Sequence, residues 1–255
     1  MTIMDVSPAG ATGKAYWIWF AERPASLKTF EYVEYKEASE EAFISGCKPE
    51  VFETLFSDLR ESEECLLSKL SAAKKRDLRI ASNRTWTTTC DQKIQMISQF
   101  YSLHVDFCHK KGIHGPLDIA ILLRNREHCA IAFTVDEEDR PICWNYYVTS
   151  GPFVRLWYSG SDSFFNRNDC GYAVTLLHWR MMLYFKKLGF KTYDWGGACT
   201  DPHSPTYGIT QFKASFGGKP VIRYNFKVTR ESPKKPVQKS SVLRRLISRF
   251  VLWKK

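Results

Sequence analysis

Twenty residues, CGYAVTLLHWRMMLYFKKLG (170–189), repeat their apolar positions at helical spacing, and they stand between segments whose apolar runs are only strand-length. Ahead of them PLDIAILLR (116–124), HCAIAFTVD (128–136), RPICWNYYVT (140–149) and FVRLWYSG (153–160) read as strands divided by the turn signals NRE, EED and SGP. Behind them come a strand, FKTYDWGG (190–197), a proline-broken loop, a short helical ITQFKASF (209–216) and a last strand, PVIRYNFKV (220–228). The order of elements predicts an α/β (α+β) fold. In it a mixed, mostly antiparallel sheet is flanked by helices, with the 170–189 helix packed on the sheet and the N-terminus of that helix at a cleft.

The N-terminal part is read as follows. Residues 1–14 show no periodicity and are expected outside regular structure, whereas AYWIWFAE (15–22) and FEYVEYKE (30–37) have strand composition. Val51, Leu55 and Leu59 in KPEVFETLFSDLR (48–60) stand at helical spacing and predict a helix. ESEECLLSKLSAAKKRDLRIA (61–81) predicts a second, acidic at its start and basic at its end as the helix dipole favours, with Cys65, Leu66, Leu70, Ala73 and Leu78 inward. A third covers DQKIQMISQFYSLHVDFCHKKG (91–112), with Ile94, Ile97, Tyr101, Val105 and Cys108 inward and Gly112 as its stop. The expected division is a reduced N-terminal subdomain or cap (1–60), a main domain (61–230) and a basic linker and tail (231–255).

The formal net charge of +10 is unevenly placed: residues 227–255 carry a net +9 and residues 1–226 only +1. A nearly neutral body argues against reading the chain as a general nucleic-acid binder. No apolar run approaches the roughly 18–20 residues of a membrane span, and the N-terminus lacks a basic-then-apolar leader, so a cytoplasmic location is expected. The eight cysteines form no C-x-x-C pair and read as reduced, mostly buried thiols, with no metal site expected. In the tail, Leu243, Leu246, Ile247, Phe250 and Trp253 stand at helical spacing among Arg244, Arg245, Arg249 and Lys255. That pattern suits either an anionic membrane surface or packing on the body or a second subunit.

Two short patterns carry chemistry. At the start of the long helix, Asn168, Gly171 and Ala173 form an N-x-x-G-x-A spacing; free backbone N–H groups there can hold a pyrophosphate, or Asn and Asp can simply cap the helix. Gly196 and Gly197, directly behind a strand, allow a ligand or another backbone to approach closely, and Lys213 just beyond can stabilise negative charge growing on a carbonyl oxygen. A tight turn and a surface lysine would use the same residues.

Taken in order, these segments resemble the FemAB family of aminoacyl- and acyltransferases and its GNAT-fold relatives. The pattern G-x-K-x-Y-D-[FW]-G-G is met by Gly189, Lys191, Tyr193, Asp194, Trp195, Gly196 and Gly197. The pattern G-[IL]-x-x-F-K-x-x-F-G is met by Gly208, Ile209, Phe212, Lys213, Phe216 and Gly217, and the resemblance spans about residues 62–228. It implies a GNAT-like sheet and the transfer of an acyl or aminoacyl group to an amine of a cell-envelope glycan or peptidoglycan precursor. The implied donor is acyl-CoA or aminoacyl-tRNA, with no cofactor bound permanently and tRNA as a partner in the second case. A catalytically inactive binding module of the same fold is the alternative.

The resemblance also implies roles. Lys213, with Phe212 beside it, would face the acyl carbonyl, and Asp194 would orient the acceptor or accept its proton. Asn168, Gly171, Tyr172 and Ala173 would hold the donor; Trp195, Gly196, Gly197 and Tyr207 would contact substrate. In the basic run Lys74, Lys75, Arg76 and Arg79, the pair Arg76 and Arg79 shares one helix face and would grip an acceptor phosphate. A membrane-borne acceptor would give the basic tail a purpose, placing the protein peripherally on the inner face of the membrane.

Overall fold

The computed structural model describes residues 1–229 apart from 26, 28 and 44–46. Its strands are β1 (Thr2–Asp5), β2 (Ala15–Trp19), β3 (Tyr32–Ala38), β4 (Glu50–Asp58), β5 (Thr87–Asp91), β6 (Cys129–Val135), β7 (Pro141–Ser150), β8 (Phe153–Ser161), β9 (Thr192–Gly197) and β10 (Lys219–Thr229). Its helices are α1 (Glu63–Lys69), α2 (Ala72–Ser82), α3 (Ile94–Lys111), α4 (Ile119–Arg124), α5 (Arg167–Lys187) and α6 (Tyr207–Ala214). All ten strands join one sheet in the order β1-β2-β3-β10-β4-β9-β8-β7-β6-β5. The β2–β3 and β8–β9 pairs are parallel and the others antiparallel, which is the mixed, mostly antiparallel sheet that the element order predicts. Strands from both sides of residue 60 interleave, because β4 lies between β10 and β9.

Alternation along β7 explains how helices cover both faces. Cys143 and Tyr147 pack with α5, whereas Trp144, Tyr146 and Val148 pack with α3. The sheet also curls. Phe20, just past β2, stacks on Phe153 of β8 at 4.7 Å, and Thr2 Oγ1 donates to the Thr149 carbonyl at 3.0 Å. Curling lays the β1–β3 edge across β7 and β8, so residues far apart in strand order face one another over the concave side.

Several elements differ from the sequence reading. Residues 50–58 form a central strand rather than a helix. A spacing of four satisfies a helix, but it is also twice the strand period, so Val51, Leu55 and Leu59 occupy one face either way. Pairing with β10 and β9 decides for the strand. The run IAILL is helical rather than extended: the Asp118 side chain accepts from the Ala120 N–H at 2.7 Å and caps α4. The segment 61–81 is two helices, because Ser71 interrupts it, caps α2 through the Lys74 N–H and donates its own N–H to Ser215. Residues 2–5 are not loose but pair with β2, burying Met4. Residues 87–91 add a strand that the reading did not contain. Helix α3 is rotated from its expected stripe, with Ile97, Phe100, His104 and Cys108 inside and Ile94 and Val105 exposed. Gly112 ends it in the left-handed region, as expected of a C-terminal stop.

Two core histidines make the fold acid-sensitive. His104 accepts from Trp144 Nε1 at 3.1 Å between aromatic rings, and burial pushes it down to about 4. Burial, reinforced by Lys74 and Lys213, pushes His178 down to about 3. Both fold neutral and gain a proton near pH 6.5 only when unfolded, so their contribution is complete above that pH and is lost as pH falls. Between pH 7.5 and 5.0 each is expected to cost about 2 kcal/mol of stability. Urea unfolding at the two pH values checks this, and His104→Gln should reduce the difference.

Candidate active site

The site begins where two parallel strands part. β8 and β9 pair only at Phe153–Thr192, Val154–Tyr193 and Arg155–Asp194; beyond that β8 runs on to Ser161 and β9 to Gly197 without pairing to each other. The opening is set by a bulge. Trp195 and Gly196 of β9 lie opposite the single residue Leu55 of β4, and Gly196 takes φ +71°. A Cβ on Gly196 would meet the Leu156 carbonyl oxygen at 2.8 Å, so this position needs glycine for both conformation and space.

On the helical side of the opening α6 carries Lys213. Its Nζ donates to the Gly197 carbonyl at 2.6 Å and the Gly196 carbonyl at 3.2 Å, which leaves one N–H of the ammonium. Burial first, and the nearby Arg155 charge second, push its pKa down to about 8. Phe212 beside it packs edge-on against His178, and Lys74 of α2 reaches the same place. The Lys74 ammonium sits 4.5 Å from the Phe212 ring centroid and donates to Thr175 Oγ1 of α5 at 3.1 Å. Thus, of the basic run, Lys74 turns toward α6. Arg76 and Arg79 lie on the exposed side of α2, where they line an open groove with Leu67, Lys75 and Leu78; Arg76 pairs with Asp77.

On the concave side lies a buried cluster of charge. Asp194 is fully buried; its Oδ1 accepts from Thr54 Oγ1 and from the Gly196 N–H at 2.8 Å. Arg155 lies beside it, with Nε 3.8 Å from Asp194 Oδ2, and also donates from Nε to Glu37 Oε1. Glu37 belongs to β3, four places from β8 in strand order, and reaches Arg155 because the sheet curls. A second bulge aims it: Lys36 and Glu37 lie opposite the single residue Asn225, and Glu37 takes φ +51°. The Asn225 side chain accepts the Glu37 N–H at 2.8 Å, and Arg223 donates to its carbonyl at 2.8 Å, which holds a conformation uncommon for glutamate. Burial pushes the Glu37 carboxyl well above its usual range; Arg155 opposes that shift and Asp194 adds to it. Glu37 Oε2 and Asp194 Oδ2 have no hydrogen-bond partner among the described residues.

The residues expected at the site are only partly gathered there. Lys213, Phe212, Asp194, Gly196 and Gly197 converge on the opening. Tyr207 begins α6. Trp195 turns into the core, where Nε1 donates to Ser57 Oγ at 2.9 Å. Asn168, Gly171, Tyr172 and Ala173 fall inside the first turns of α5 rather than ahead of it, since Asn166 is the cap and accepts from the Asp169 N–H at 2.9 Å. Ala173 is buried, while Gly171 faces open space. Glu37 and Arg155 were missed; a lone glutamate among strand aromatics and a lone arginine in a strand carry no local signal. Among the described residues no group of three or more His, Cys, Asp or Glu side chains is placed to hold a metal ion, and the eight cysteines are free thiols.

No family model matches the sequence, and no curated protein does either. Solved structures do match. The chain resembles the lysylphosphatidylglycerol synthetase of Bacillus licheniformis, titled L-PGS, over 86% of its length and 72% of that chain, with 13% identity and a TM-score of 0.54. The C-terminal domain of a protein assigned as a lysylphosphatidylglycerol synthetase from Agrobacterium fabrum matches over 86% and 79%, with 11% identity and a TM-score of 0.54. FemX matches over 89% of this chain and 83% of its own, with 11% identity and a TM-score of 0.66. The chain therefore has the fold of FemX across most of its length, as its FemAB-like motifs imply.

Proposed function

We propose that this protein is an acyltransferase that passes an acyl or aminoacyl group from an activated ester or thioester to an amine. The observation that carries this reading is the parting of β8 and β9 at Arg155 and Asp194, with the Lys213 ammonium on one side and buried carboxylates on the other. A carbonyl lying at the opening would meet the remaining N–H of Lys213, which interacts more strongly with a tetrahedral oxyanion than with the neutral carbonyl before it. The fold shared with FemX and the FemAB-like motifs support the reaction class. We take the donor to be acyl-CoA or aminoacyl-tRNA, and the acceptor to be an amine of a cell-envelope glycan or peptidoglycan precursor.

Donor binding and transfer test this together. At 100 times its Kd, CoA or an aminoacyl-tRNA 3′-end analogue should add about 2.7 kcal/mol to stability, seen as a higher melting midpoint. Labelled acyl group should then move from the stabilising donor to an amine. If neither donor class raised the midpoint and no label moved, the protein would be a binding module rather than an enzyme.

We further propose that it works at the inner face of the membrane. No helix among the described residues is long and apolar enough to cross a membrane. The basic, amphipathic 241–255 stretch lies outside the described residues, and attraction would come from its charge and apolar stripe. Removing residues 231–255 is expected to leave the melting midpoint of the body unchanged and to abolish sedimentation with anionic vesicles. Equal sedimentation of both forms would rule this out.

A further inference from the structure

We propose that the acceptor amine enters as an ammonium through a tryptophan-walled cleft on the concave side and delivers its proton to Glu37. The cleft, of about 110 Å³, is lined by Trp17, Trp19, Trp157, Phe52, Lys36, Glu37, Arg155 and Asn225. Its volume suits the end of a chain, such as an aminomethyl or aminoethyl group, rather than a whole substrate. This inference rests on the acyltransferase reading and names the chemical class its acceptor site takes.

Three observations favour a cation. The tryptophans form one cluster, with Trp157 5.5 Å from Trp17 and 5.4 Å from Trp19, and ring faces of this wall already meet cations. Lys36 Nζ lies 4.4 Å from the Trp17 centroid and the Arg155 guanidinium 4.9 Å from that of Trp19. Those two cations have their own carboxylates: Lys36 pairs with Glu34 at 2.7 Å, and Arg155 pairs with Glu37 Oε1. The atoms left over are mostly acceptors. Glu37 Oε2 lines this cleft unpartnered, with Asp194 Oδ2 unpartnered behind it, and Glu37, Asp194 and Arg155 together hold one more acid than base. Lys213, the other nearby cation, is tied to two backbone carbonyls. An incoming ammonium supplies the missing charge and N–H. Trp19 Nε1, also buried without a partner, would be met by an oxygen borne close to the amine, as in an amino alcohol or amino sugar.

The proton balance is complete. The ammonium gives one proton to the Glu37 carboxylate, and burial favours the resulting neutral acid and free amine. The amine lone pair forms the N–C bond, the donor's C–S or C–O bond breaks, and the second N–H proton leaves with the departing thiolate or alkoxide.

The test uses the full chain with ¹⁵N-labelled tryptophan, whose indole signals are assigned by single Trp→Phe substitutions. Ethylammonium, ethanolamine and ethanol are titrated at constant ionic strength. The two amines are expected to shift the Trp17, Trp19 and Trp157 signals saturably, ethanolamine more tightly, and ethanol not at all. Glu37→Gln should weaken amine binding at least tenfold. Should that variant fail to fold, Trp157→Leu, which leaves the Glu37–Arg155 pair intact, should weaken it too. Equal response to ethanol and amines, or no response of these three signals, overturns the inference. Acyl transfer without amine binding in the cleft would sink this inference and leave the proposed function standing. Amine binding without transfer would do the reverse.

Discussion

Lys213→Ala is expected to lower turnover by roughly 10²–10³-fold, about 2.7–4 kcal/mol of transition-state stabilisation, with donor affinity and folding nearly unchanged. The ammonium is held by two carbonyls beside the strand opening, so its removal takes away a donor without leaving a buried charge unpaired. Arginine should not restore the rate in full, because a planar guanidinium cannot occupy the position of a tetrahedral ammonium. The pH profile gives an independent check. With its pKa pushed down to about 8, the lysine loses its charge as pH rises through that value, and turnover at saturating acceptor should fall there. A lysine acting as a base would produce a rise instead. Wild-type turnover in the alanine variant, or a rate climbing through pH 8, would remove Lys213 from the oxyanion role.

The second large effect is expected at Arg155. Replacing it by methionine leaves Glu37 and Asp194 buried together without their shared cation. Breaking a buried pair in this way typically costs about 3–5 kcal/mol, because a desolvated charge loses its only compensation. Without the guanidinium both carboxyls would have folded-state pKa values above their unfolded ones. The folded variant would then bind more protons than the unfolded chain, so its deficit against wild type should shrink as pH falls toward 5 and grow above 7. Adding Glu37→Gln to Arg155→Met removes one of the stranded charges and should recover part of the loss. Denaturant midpoints of the four proteins at pH 5.5 and 8 complete the cycle. Additive losses for the two substitutions would mean that the charges are not coupled.

Much of the C-terminal half was legible because its signals are local. Strands β6 to β10, helix α5 and helix α6 follow from apolar period and turn residues, and the motif residues Asp194, Gly196, Gly197, Phe212 and Lys213 lie close together in the sequence. A bulge glycine behind a strand and a lysine on the next helix are brought together by a short loop, so their meeting needed little from the rest of the chain. The same local rules failed where two structures satisfy one pattern. Apolar residues every fourth position suit a helix or a strand, and only the neighbours β9 and β10 made 50–58 a strand.

What the sequence alone determined, then, is the class of fold and one half of the site, because both are written in residues near one another along the chain. The other half is a product of the tertiary structure. Glu37 and Arg155 are 118 residues apart and four places apart in strand order, and no spacing rule joins them. They meet because the sheet curls until its N-terminal edge lies over β8, and because a bulge at Glu37 turns that side chain inward. Curvature is set by pairing and side-chain packing over the whole sheet, and such information is present in no single stretch of the chain.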